Sequence, residues 1–200
     1  MLTKKKYKLI GISGSPRIKG TNYMIKIVLE ATSHDYEMIN LKDKKINPCT
    51  ACGGCYKTHK CIVKDDMQEI SNKLEEADAI VLGSPTYFAN VTGIMKNFID
   101  RCLPLYLREK LKNKRVALVT VGNFKKGEVR HLDNYDLEKA MKSPKGKKKV
   151  GETMQRCMNI MKVFCGKHMQ MKVIGGVVAI GGDPTPEKGR LIKLGEKLLK

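Results

Sequence analysis

No stretch of this chain approaches the ~18–20 consecutive apolar residues that cross a bilayer. Its start, Met-Leu-Thr-Lys-Lys-Lys-Tyr-Lys, has the basic head of an export signal. The apolar residues behind it, Leu9, Ile10, Gly11 and Ile12, fall far short of the ~7–15 such a signal needs. A cytoplasmic protein with no membrane partner is expected. Acidic residues are scarce too: 20 Asp and Glu against 39 Lys and Arg leave a net charge of +19. That excess is spread over most of a chain that is 42% hydrophobic, which excludes a disordered polyampholyte or a collagen-like chain but favours anionic partners. Internal repeats and linkers are also lacking, so residues 1–200 read as a single domain. A chain of this length buries roughly 70% of its unfolded surface and needs neither metal nor disulfide to hold a core. Seven cysteines in a reducing compartment, an odd number, therefore point to metal or redox chemistry.

Short apolar runs alternate with amphipathic segments. Strands are expected at Tyr7–Ser13, Tyr36–Leu41, Ala77–Gly83, Arg115–Gly122 and Lys172–Gly181. Between them, Thr21–Thr32 and Asp65–Glu76 have helical spacing, Thr92 can cap a further helix, and Met154, Cys157, Met158, Met161, Phe164 and Cys165 form one stripe of another. Thr185-Pro186 opens a last helix. Cys102, Cys157 and Cys165 fall on apolar stripes, as small core hydrophobes do. Strands buried on both faces with helices between them mean an α/β fold, a doubly wound five-stranded parallel sheet of order 2-1-3-4-5 with helices on both faces. Ligands of such sheets sit at the carboxyl ends of the strands, so the loops after strands one, three and four should converge.

The first of these loops, Gly11 to Asn22, combines small residues with a helix start, the arrangement that lets backbone N–H groups approach an anion. Hydroxyls of Ser13, Ser15 and Thr21 with the Arg17 guanidinium could complete a phosphate nest. The competing account is a tight turn needing Gly and Pro for geometry alone. In the second, Ser84-Pro85-Thr86-Tyr87-Phe88-Ala89-Asn90, adjacent aromatics could wall a flat conjugated ring while Asn90 and backbone amides reach its polar edge. Alternatively Tyr87 and Phe88 pack on the following helix.

Residues 47–64 form a Cys- and Gly-rich segment without strong period, carrying Cys49-x2-Cys52-x2-Cys55-x5-Cys61. Cubane iron–sulfur clusters take four cysteinates, and dense C-x2-C-x2-C spacing supplies three corners from one turn, with Cys61 as the fourth. Zinc also accepts four cysteines, though zinc ribbons draw them from separated pairs. A metal-free loop is the remaining alternative. His59 reads as a loop residue while Cys61 is present. Residues 123–149 are polar, and Lys142, Lys145, Lys147, Lys148 and Lys149 make the strongest basic patch. It has no interleaved aromatic and no nucleic-acid motif, so a solvated, partly mobile loop and no nucleic-acid partner are expected.

GISGSPR-x-x-G followed by ADAIVLGSPTYFANVTGIMKNFIDR resembles the two signatures of the NADPH-dependent FMN reductase-like flavodoxin-fold family. The cysteine loop between them resembles its iron–sulfur flavoprotein branch. The resemblance implies FMN, with its phosphate on residues 13–22 (Ser13, Ser15, Arg17, Thr21, Asn22) and its ring beside Ser84, Pro85, Thr86, Tyr87, Phe88 and Asn90. Gly122, Asn123 and Gly127 carry over from a third family loop that is usually richer in glycine, and Thr21-Asn22 inverts the order common in relatives. It also implies a homo-oligomer, dimer or tetramer, in which a cluster approaches a neighbour's FMN. With a [4Fe-4S] cluster on Cys49, Cys52, Cys55 and Cys61, the chain would be an electron-transfer flavoprotein that converts single electrons into two-electron reduction of an acceptor. No catalytic side chain is nominated, because electron transfer needs no protein acid or base. The +19 surface would steer an acidic electron carrier such as ferredoxin. The alternative is a cluster-free NAD(P)H-dependent FMN or quinone reductase.

Overall fold

The computed structural model describes residues 6–122 and 144–200, of which 145–151 are described by their backbone alone. Five strands form one parallel sheet: β1 (Leu9–Ser13), β2 (Tyr36–Asn40), β3 (Ala79–Pro85), β4 (Arg115–Gly122) and β5 (Lys172–Ile180). Their order is β2-β1-β3-β4-β5, as the sequence pattern predicts. Register pairs Ser13 with both Asn40 and Gly83, and Pro85 with Val121, so the carboxyl ends of β1 to β4 share one rim.

Among the described residues the sheet is accompanied by α1 (Gly20–Glu30), α2 (Gly54–Thr58), α3 (Met67–Glu76), α4 (Gly93–Arg101), α5 (Leu103–Leu107), α6 (Pro144–Lys162), which continues into a π-helical stretch at Val163–His168, and α7 (Lys188–Leu198). The period-2 alternation of each strand divides the core in two. Ile10, Ile12, Ile80, Leu82, Val116 and Leu118 face α3, α4 and α6, where Ile70, Phe98, Cys157 and Met158 meet them. Leu9, Val81, Ala117 and Val119 face α1 and α7, against Ile25, Leu29, Leu191 and Leu198. Cys102, Cys157 and Cys165 are buried as expected, and burial pushes all three thiols up.

Two expectations are corrected. The first three residues of α6 and those that follow to Lys149 are helical rather than loop, Pro144 occupying the first helical position where its missing N–H costs nothing. Within the cysteine segment, α2 forms a single short helix bracketed by left-handed Gly53 and His59, too short to leave a period in sequence. The rest of the polar stretch, with Lys142, lies outside the described residues.

Helices α1 and α7 cross at Gly195, where a Cβ would fall 2.2 Å from the Val28 carbonyl oxygen. Helix propensity alone favours alanine over glycine by about 1 kcal/mol, so a net loss would isolate this contact. Gly195→Ala is expected to cost about 2 kcal/mol, because the clash is with backbone and the helices must separate. Denaturant unfolding checks this; an equally or more stable variant would refute the close crossing.

Candidate functional site

Residues 13–22 and 84–90 meet because β1 and β3 are neighbours. The Gly14 N–H donates to the Gly83 carbonyl at 2.8 Å, and the Thr92 hydroxyl donates to the Gly14 carbonyl at 2.6 Å. Thr92 also caps α4, its hydroxyl accepting from the Met95 N–H, while its own N–H donates to the Ser84 hydroxyl. Gly14 must be glycine for this approach: a Cβ would lie 2.7 Å from that of Met95. These contacts span up to 78 residues, and nothing local in the sequence marks Thr92 as more than a helix cap.

Within the first turn, the three hydroxyls play different parts. Ser13 donates to the Asn22 side-chain oxygen at 2.8 Å, and Ser15 donates to the Arg17 carbonyl at 2.6 Å. Both donors are spent shaping the turn. Asn22 passes its own amide to the Asn40 side chain, which ties β2 to the rim. The Thr21 hydroxyl is different: the residue is 1% exposed, and this oxygen has no hydrogen-bond partner. It sits in the first turn of α1, which has no side-chain cap and no acidic residue. The Gly20, Thr21 and Asn22 N–H groups there have no intrahelical acceptor. A buried unsatisfied hydroxyl beside uncapped amides, at the positive end of a helix, fits an anion such as a phosphate. Arg17 is exposed at the tip of the same turn.

The second turn is held by its own backbone. Tyr87 and Asn90 exchange N–H···O bonds of 3.0 and 2.9 Å, which places Phe88 and Ala89 at positive φ. Phe88 is fully exposed, which excludes its packing on α4, whereas Tyr87 is 41% exposed. Ser84 is buried with its hydroxyl bonded to Pro85 and Thr92, and Pro85 is buried beside it in β3. Thr86 meets the Thr120 hydroxyl of β4 at 3.1 Å. Asn90 is exposed, its side-chain oxygen accepting from the Val91 N–H. Gly122 ends β4 on this rim, with Met154 packed directly over it. Asn123 and Gly127 lie outside the described residues. The two turns thus lie side by side on one rim, the first with the unpartnered Thr21 hydroxyl and exposed Arg17, the second with exposed Phe88.

The cysteine loop packs against the opposite end of α4. Cys49, Cys52, Cys55 and Cys61 all line one cavity of about 160 Å³, together with Ile62, Leu103 and Arg101. Burial pushes the Cys55 thiol up, and charge on Cys61, Cys49 and Cys52 pushes it further, so the four sulfurs lie within electrostatic reach of one another. Among the described residues, no three His, Cys, Asp or Glu side chains group tightly enough for one metal ion. A single zinc needs its sulfurs at ≈ 2.3 Å. Four cysteines around one cavity are the donor set that a cubane iron–sulfur cluster takes, and zinc accepts the same set.

Arg101, the last residue of α4, is buried here in an ion pair with Asp65; their side chains are 1% and 0% exposed. Burial would raise the Asp65 carboxyl, but the Arg101 guanidinium and the Asn47 and Met67 amides outweigh it and hold it below the ordinary carboxylate value. In sequence, Arg101 looks like an ordinary basic residue near a helix end; only its long-range partners distinguish it. From Thr92 to Arg101 is nine residues, or roughly 14 Å at 1.5 Å per residue, so α4 is a rigid strut between the two turns and the cysteine loop. No helix among the described residues is long and apolar enough to cross a membrane.

An iron-sulfur flavoprotein of Methanocaldococcus jannaschii is 43% identical over 124 residues, covering 60% of this chain and 64% of that one. An iron-sulfur flavoprotein of Archaeoglobus fulgidus is 40% identical over 124 residues, covering 60% and 61%. The match thus spans less than two thirds of each of these relatives. In three dimensions, a flavodoxin, WrbA-like protein from Agrobacterium tumefaciens superposes with a TM-score of 0.60 at 13% identity, covering 96% of this chain and 95% of that one, a likeness of fold. Residues 7–136 match the family described as NADPH-dependent FMN reductase, and the chain belongs to that family.

Proposed function

We propose that the protein is an FMN-dependent oxidoreductase that passes electrons between a [4Fe-4S] cluster and FMN. The observation that carries the flavin half is the Thr21 hydroxyl, buried without a partner in the uncapped first turn of α1. A phosphate monoester would satisfy it and the neighbouring amides together, and Arg17 would close over the anion. The turn from Ser84 to Asn90 would hold the ring, with Tyr87 and Phe88 along its face and backbone amides at its polar edge. Burial of Ser13, Ser15 and Ser84 keeps water from loosening both turns.

For the cluster half, Cys49, Cys52, Cys55 and Cys61 would supply the thiolates. When bound, FMN supplies two-electron and the cluster one-electron redox chemistry. The chain's part is to hold the groups in place, exclude water and present a positive surface. The family supports a nicotinamide partner, and the net charge of +19 supports an acidic electron carrier. Exposed Phe88 beside the proposed ring site is consistent with a homo-oligomer that covers it.

Anaerobic reconstitution with FMN, iron and sulfide tests this reading. Flavin bands over broad cluster absorption, with about four irons per chain, are expected. A flavin spectrum alone, with NAD(P)H turnover, would replace it by the cluster-free reductase. Colourless protein would contradict both halves.

A further inference from the structure

The cysteine segment leaves the body of the protein at Asn47 and rejoins it at Val63 to Asp65, and both ends converge on one side chain. Arg101 donates from one terminal nitrogen to the Asn47 carbonyl and to Asp65 Oδ2, both at 2.7 Å. From the other it donates to the Val63 carbonyl at 3.3 Å and Asp65 Oδ1 at 3.0 Å. Asp65 answers by accepting from the Asn47 N–H at 2.9 Å, the Asn47 side-chain amide at 3.3 Å and the Met67 N–H at 3.1 Å. The planar fork of arginine is needed here, since a lysine ammonium is a single point charge that cannot reach both ends with fixed geometry.

Cys49 and Cys52 are exposed, and Ala51, Gly53 and His59 between and beside them have left-handed backbone. The Arg101 Nε–H is buried and has no partner, while Arg101 lines the same cavity as the four cysteines. The Arg101 guanidinium also faces the Cys61 side chain, so the residue that ties the loop ends touches one of the four cysteines directly.

We propose that Arg101 and Asp65 form a clasp that closes the cysteine loop before any metal arrives, so that the four thiolates are gathered in advance. Arg101 is thus a positioning residue, acting on the sulfurs through the loop ends and through its contact with Cys61. The proposal rests on reading this loop as a cluster site, but its first test does not need the cluster. Because α4 also carries Thr92 at its other end, the clasp anchors the loop to the same strut that fixes the Gly14 turn.

Hydrogen–deuterium exchange on the metal-free full chain reads the clasp directly. In Arg101→Met and Asp65→Asn, the Asn47 and Met67 amides are expected to exchange at least ten times faster than in the wild type, with β1 and β3 retaining their protection. Reconstitution with ferrous iron and sulfide is expected to slow at least tenfold while the final iron per chain stays within twofold of wild type, a split that general loss of structure would not produce. Asp65→Asn keeps the shape of the site and carries the test if Arg101→Met unfolds. Unchanged exchange at residues 47–67 in a variant with intact strands would overturn the clasp, as would reconstitution at the wild-type rate. A wild-type chain that takes up no iron would instead overturn the cluster reading, leaving the exchange result to decide the clasp.

Discussion

Cys52→Ser is expected to remove the iron and leave the flavin site intact. Cys52 is exposed and lines the 160 Å³ cavity with three other cysteines, so its replacement opens one corner of the site without touching the core. A hydroxyl stays protonated where a thiol ionises, and the oxygen is a poor ligand for an iron–sulfur cluster. Iron should fall from about four per chain to below about one, while FMN affinity stays within about twofold, since α4 separates the loop from the phosphate turn by roughly 14 Å. Cys102→Ser makes the opposite case. That thiol is fully buried among apolar residues, so the hydroxyl would lack a partner and cost about 1–3 kcal/mol of stability with the iron retained. If Cys52→Ser kept its iron, or Cys102→Ser lost it, the assignment of ligands would be wrong. Iron analysis and thermal unfolding of both variants decide it.

Thr21→Val is expected to move stability and affinity in opposite directions. In the ligand-free chain the Thr21 hydroxyl is buried with no partner, and leaving such a group unmade costs roughly 1–3 kcal/mol. Valine has nearly the same shape and no hydroxyl, so the ligand-free variant should be more stable by about 1 kcal/mol. FMN binding should weaken by about 10- to 100-fold, because a hydrogen bond to a charged acceptor is worth roughly 1.5–3 kcal/mol. Stabilisation of the protein by a fixed excess of FMN therefore falls by about 1.4–2.7 kcal/mol, the logarithm of that loss in affinity. Both effects are read from unfolding curves with and without FMN. A ligand-free variant that is less stable, with unchanged affinity, would make Thr21 an ordinary packing residue.

How much of this was visible in the sequence depends on how local each signal is. The strands β3 and β4 are legible because residues buried on both faces form continuous apolar runs. The turns after β1 and β3 are legible because they cluster glycine, proline and hydroxyls at strand ends, and the cysteines because their spacing is itself the signal. The division of labour among Ser13, Ser15 and Thr21 was not, since which hydroxyl stays unpartnered depends on how the turn folds back on itself. Asn40 carries no such local signal because its contact is with Asn22, 18 residues away, between the start of α1 and the end of β2. Arg101 and Asp65 lack one for the same reason: a buried pair 36 residues apart carries no periodicity. The start of α6 misled in the other direction, because Ser-Pro-Lys-Gly-Lys-Lys-Lys has no apolar stripe to announce a helix.

The claim beneath all of this is that the turn from Ser13 to Asn22 holds a flavin nucleotide by its phosphate. Titrating the flavin-free protein with FMN and with riboflavin, which share the ring and differ only in that group, tests it most directly. The account predicts that FMN binds at least about 100-fold more tightly, with the difference shrinking as salt is raised. Equal affinity for the two, or binding of neither, would contradict it.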